Sequence, residues 1–117
     1  MAAVTLVETL VEAFNARDLD RFVGCFSTDA RYDSLQSDGT VQVLAQDRAA
    51  LRAIYGPLFA QSPDLHVDII QRMHVGSWVI DAEEISGCVF AGFPSAFHTA
   101  TIYRLEGDAI VHASAVF

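Results

Sequence analysis

The chain contains no lysine: its seven basic residues are all arginine, scattered from Arg17 to Arg104 without a cluster. Fifteen acidic residues outweigh them, giving a formal net charge of -8 at pH 7. A surface of that sign repels nucleic acid, and no basic amphipathic stretch is offered to anionic lipid. Cysteine is scarce as well. Cys25 and Cys88 are too few for a disulfide framework, and neither lies in a CxxC or other metal-spaced cluster. Cys25 falls in an apolar helical pattern and reads as a small core residue. No apolar run approaches the ~20 residues that span a bilayer. The first residues lack a basic segment, and Glu8 and Glu12 interrupt their apolar pattern, so they do not read as a signal peptide. A cytoplasmic, reducing location without a membrane partner is the expectation. Glycine-rich phosphate loops, a GxSxG elbow and helical His spacing for a metal are all missing, so neither cofactor nor metal is expected.

What is present is apolar mass. The 117 residues suit one core, read as a single domain over 1–117. Hydrophobic residues make up 52%, with eight Phe, three Tyr and one Trp among them. That is more apolar area than a small monomer hides, and an apolar cavity or a subunit contact would use the excess. A homodimer is therefore expected.

The order of elements is legible from spacing. Thr5 and Glu8 have capping-box separation, and Val4, Val7, Leu10, Val11 and Phe14 repeat at helical intervals up to Asn15-Ala16. Asp18 caps a short second helix bearing Leu19, Phe22, Val23 and Phe26. Residues 29–34 read as a strand, with Tyr32 and Ser34 on one side and Arg31 and Asp33 on the other. A turn at Ser37-Asp38-Gly39 leads to the β-prone Val41-Gln42-Val43-Leu44, and Asp47 caps a third helix reaching about Ala60, in which Gly56-Pro57 could make a kink. Four antiparallel strands follow, over 65–74, 78–88, 96–105 and 109–117. Helices early and strands late predict an α+β fold with helices on one face of a curved sheet. The last strand reads as apolar on both sides, with Val111, Ala113, Ala115 and Phe117 opposite Ile110 and Val116.

Asp81 and Glu83 stand two residues apart in Trp78-Val79-Ile80-Asp81-Ala82-Glu83-Glu84-Ile85. Strand alternation sends both to one side with Val79 and Ile85, their Cα atoms roughly 7 Å apart. Carboxyl groups among such neighbours must find a partner or hold a proton. They are the candidate catalytic residues, and Arg72, Arg104 or a histidine are the partners that would instead make them structural. Tyr32, Ser34, Tyr55, Thr99, Thr101, Tyr103 and Phe117 are the candidate ligand-binding residues, a few hydroxyls on apolar walls. His98 and His112 alternate away from Thr101 and Ala113 and are expected on the outer face.

Several segments in order resemble a known family. Asn15-Ala16-Arg17-Asp18-Leu19-Asp20, Phe26-Ser27-Thr28-Asp29-Ala30, Asp47-Arg48, the Trp78–Gly87 run and Tyr103-Arg104-Leu105-Glu106-Gly107 are similar to motifs of the nuclear transport factor 2-like superfamily, in its SnoaL-like and ketosteroid isomerase-like branch. That resemblance implies a cone-shaped α+β barrel: a curved, mostly antiparallel sheet with three helices on its concave side, around a deep apolar pocket, commonly dimeric. It also implies that the three catalytic positions of ketosteroid isomerases hold Leu10, Ser34 and Thr101 here, so that machinery is not expected. Two readings follow. One is a cofactor-independent acid-base enzyme of isomerase, cyclase, dehydratase or hydrolase type acting on an apolar small molecule. The other is a non-catalytic dimeric module that binds a ligand or a protein through the same cone.

Overall fold

The computed structural model describes residues 2–117. Three helices, α1 (Ala3–Ala16), α2 (Leu19–Gly24) and α3 (Arg48–Gln61), cover one face of a six-stranded sheet. The strands are β1 (Phe26–Leu35), β2 (Val41–Ala45), β3 (His66–Val75), β4 (Trp78–Ser86), β5 (Phe97–Glu106) and β6 (Ala109–Val116). Their order across the sheet is β2-β1-β6-β5-β4-β3. All neighbours are antiparallel except β1 and β6, which run parallel. The sheet is curved but does not close, leaving β2 and β3 as edges.

Apolar spacing sets the helical faces. Leu6, Val7, Leu10 and Ala13 of α1, Phe22 and Val23 of α2, and Leu51 and Phe59 of α3 are buried against the sheet. Asp18 and Asp47 cap α2 and α3 as expected, accepting from the Arg21 and Ala50 amides. Thr5 does not cap α1. The helix starts two residues earlier behind Ala2, without a side-chain cap, and Thr5 lies inside it. Pro57 is carried within α3, which runs on to Gln61.

The family-like Asn15-x-x-Asp18 segment has a structural job. The Asn15 side-chain amide donates to the Val67 carbonyl (3.2 Å) and accepts from the Val67 amide (2.7 Å), as a neighbouring strand would. It thereby fastens the end of α1 to the start of edge strand β3. Arg48 plays a matching role, donating through its guanidinium to the Phe26 carbonyl where β1 begins.

Two irregularities decide which side chains face inward. In β3, Ile69 pairs with Glu83 but Gln71 pairs with Ala82, so Ile70 is an extra, exposed residue. In β6, Arg104 pairs with His112 and Leu105 with Ile110, leaving Val111 extra. Each inserted residue reverses the alternation beyond it. Ile110 is therefore fully buried with Leu105, on the same side as Ala113, rather than opposite it as simple alternation predicts.

Candidate active site

Cross-strand register gathers the site. On β4, Asp81 faces Thr101 of β5, and Glu83 faces Thr99; on β6 and β1, Ala113 lies beside Tyr32 and Ala115 beside Ser34. All these side chains point toward the helices. All but Asp81 border a cavity of ≈ 820 Å³ walled by residues such as Leu10, Phe14, Phe22, Phe26, Val67 and Ile85. That lies within the roughly 300–1,000 Å³ usual for small-molecule sites. Tyr32, Ser34, Tyr55, Thr99, Thr101, Tyr103 and Phe117 all line it, as does Glu83.

Asp81 does not line it. Its side chain is fully buried and gripped by Arg72, whose Nε and Nη2 donate to the two carboxylate oxygens at 2.7 and 2.8 Å. A fork of two parallel bonds is the strong form of this ion pair. Hydrogen bonding to Asp81 in turn raises the Arg72 pKa above its ordinary value, against the pull of burial. The pairing depends on the bulge at Ile70, which turns Arg72 inward to face Asp81. Of the two candidate acids, Glu83 lines the cavity, whereas Asp81 has found Arg72, one of the partners that would make it structural.

Glu83 is the cavity acid. Only 6% of it is exposed, and its sole hydrogen-bond partner among the described residues is the Thr101 hydroxyl, which donates to Oε1 at 2.5 Å. Burial pushes its pKa up to about 7, with the nearby Asp81 charge adding to the rise; the Thr101 bond and Arg72 pull the other way. Desolvation wins because two small stabilising contacts cannot replace the hydration of a carboxylate.

The tyrosines stay as hydroxyls. Burial raises the pKa of Tyr55 and Tyr103 well above the ordinary value, and that of Tyr32 less strongly, with the Glu83 charge adding in each case. Near neutral pH they are hydrogen-bond donors. Tyr32 and Tyr55 meet in a tilted contact at 5.9 Å between ring centroids, and Tyr55 continues into Phe22 at 4.5 Å.

One buried acid falls outside this site. Asp33 is buried on the opposite sheet face, where it accepts from Ser114 (2.5 Å), His112 (2.8 Å) and Arg31 (3.0 Å). Burial alone would raise its pKa, but those donors together outweigh it and the pKa is lowered. His98, expected on the outer face, lies across from Glu84, with Nε2 3.4 Å from its carboxylate, and also borders the cavity. No group of three or more His, Cys, Asp or Glu among the described residues is arranged to hold a metal ion. Sequence reasoning passed over the loop residues Phe90 and Phe93 and the amides of Gln36 and Gln42, all of which edge the cavity; only the aromatic content of the 89–97 stretch signals the first pair.

The family model of the SnoaL-like domain matches residues 7–113. The chain belongs to the SnoaL-like family. No curated protein matches it. Among solved structures, a cystatin-fold protein from Novosphingobium aromaticivorans superposes with a TM-score of 0.84 at 23% identity, covering 100% of this chain and 99% of its own. A ketosteroid isomerase-like-fold protein from Catenulispora acidiphila, crystallised with trimethylamine, gives 0.73 at 18% identity over 96% and 84%. An LEH-like epoxide hydrolase from M. tuberculosis gives 0.74 at 13% over 98% and 81%. These similarities establish the SnoaL-like cone as the shared fold.

Proposed function

We propose that this SnoaL-like protein binds an apolar small molecule in its cavity and that Glu83 moves a proton on it. The observation that carries the reading is a lone carboxyl with a pKa of about 7 on an apolar wall, beside an acid already neutralised by arginine. Near neutral pH both forms of Glu83 are populated, so the group can remove a proton from an activated C–H and return it elsewhere on the same molecule. Thr101 and the tyrosine hydroxyls would orient an oxygen of the ligand. Such a transfer alone is an isomerisation and needs no co-reactant; the same acid-base step would serve a cyclase, a dehydratase that releases water, or a hydrolase that takes water as its second substrate. The epoxide hydrolase and the trimethylamine complex among the structural neighbours support a small-molecule role for this cone.

Incubation with 4-phenylcyclohexanone in D2O tests it, with deuterium entry at the carbon beside the carbonyl followed by NMR. The rate should rise with pH through about 7. Glu83→Gln should lower it at least ~100-fold, the lower end of general acid-base contributions. A Glu83→Gln protein that exchanges at the wild-type rate removes the proton-transfer role and favours the non-catalytic binding module.

The partner on the outer face is a second copy of the chain. Met73, Val75 and Trp78 are exposed there beside the half-buried Ile80 and Ile102, and the neighbouring acids Asp33, Asp68 and Glu84 each have a cationic or His partner. A locally balanced apolar face is where a chain of net charge -8 can approach itself. Light scattering should give twice the chain mass, and Trp78→Glu should halve it. A monomeric wild-type protein at ~100 µM, where even a weak dimer of micromolar Kd would assemble, removes this partner.

A further inference from the structure

The apolar lining does not stop where the cavity meets water. Phe90, Phe93 and Phe117 are 36%, 42% and 50% exposed, whereas Phe22 and Phe26 inside are at most 3% exposed. Exposed phenyl surface is unfavourable in proportion to its area, and a contiguous group of such rings marks a contact surface. Here the rings are mutually arranged. Phe93 lies 5.5 Å from Phe117 with planes at 61°, 5.9 Å from Phe90 at 64°, and 5.6 Å from Phe97. Inclined contacts of this kind leave ring faces open to a further aromatic group. All four rings line the same cavity as Glu83.

The loop that carries Phe93 is held before anything binds. Its neck is closed by the Cys88 amide donating to the Ser95 carbonyl at 3.1 Å. Val89 is fastened to Ser62 in both directions, at 2.8 and 3.2 Å. Gly92, in the left-handed region at φ +86°, and the fixed φ of Pro94 flank Phe93 on either side. Pre-ordering of this kind reduces the entropy a ligand must overcome.

We infer that Phe90, Phe93, Phe97 and Phe117 form an aromatic subsite at the cavity mouth, which takes a ring at the outer end of a ligand whose inner end lies against Glu83. The ligand class is an elongated, uncharged molecule with a carbonyl or comparable oxygen at one end and an aromatic ring at the other. The inference rests on a small molecule occupying the cavity; it does not depend on proton transfer.

Two probes that differ only in the outer ring test it: 4-phenylcyclohexanone and 4-cyclohexylcyclohexanone, with affinities measured by calorimetry. Wild-type protein should favour the phenyl compound about three- to tenfold, the scale of one aromatic contact beyond its buried area. Phe93→Leu, which keeps an apolar side chain at an exposed loop position, should bring that ratio close to one. Phe90→Leu should reduce it, and Glu83→Gln should leave it intact. Equal wild-type affinities, or a ratio unmoved in Phe93→Leu, overturn the subsite even if Glu83 proves catalytic. Failure of both ketones to bind overturns it together with cavity occupancy. Equal affinities accompanied by a Phe93→Glu protein of half the native mass would assign the rings to a second copy instead.

Discussion

Replacing Arg72 with methionine is expected to destabilise the protein by about 3–5 kcal/mol, the usual consequence of removing one partner from a buried ion pair. Asp81 has no exposed surface and Arg72 only 20%. Without the guanidinium the carboxylate would have two lost hydrogen bonds and no route to water. Urea unfolding at pH 7 is the measurement. An Arg72→Met, Asp81→Leu double variant should return most of the stability, since apolar replacement of a whole buried pair is close to neutral. Loss of under 1 kcal/mol in the single variant would show that the pair holds little, and that Asp81 has another way to satisfy its charge.

Glu83→Gln should make the folded protein more stable at pH 8 by about 3 kcal/mol, while barely changing it at pH 4. The sign follows from the direction of the shift. The Glu83 pKa is raised from 4.5 to about 7, so the folded state holds the proton more tightly than the unfolded chain. Stability is full below the unfolded value, declines as pH rises between roughly 4.5 and 7, and levels off above. Glutamine, which cannot ionise, removes that decline. Asp33, whose pKa is lowered, contributes in the opposite sense, with stability lost as acid protonates it. The informative quantity is therefore the difference between wild type and variant across pH, not either curve alone. A difference that stays flat from pH 4 to 8 would place Glu83 in ordinary contact with solvent. A stabilising substitution that removes exchange activity is the pattern expected when a site is kept at the expense of the fold.

The two acids show how the same motif acquires two fates. Strand alternation alone puts Asp81 and Glu83 on one face, and both do face the helices. Nothing in that spacing distinguishes them. The distinction comes from β3, where Ile70 is inserted between Ile69, opposite Glu83, and Gln71, opposite Ala82. Beyond the insertion Arg72 faces inward and finds Asp81. Glu83, on the near side, is matched with Ile69 and receives only the Thr101 hydroxyl. One extra residue thus separates a salt-bridged carboxyl from a cavity carboxyl with a raised pKa.

The sequence by itself determined the order of the three helices and of every strand but β2, the two aspartate caps, the inward face of Tyr32, Ser34 and Glu83, and the outward face of Asp33. These are local: capping geometry and the periods of 3.6 and 2 act within a few residues, so they can be read from the chain alone. Tertiary structure decided the parallel pairing of β1 with β6, the inserted residues at Ile70 and Val111, and the aromatic mouth around Phe93. Each of those depends on which strand or loop lies alongside. An extra residue is defined only against the partner strand, and a ring becomes part of a cavity only when a distant loop folds over it.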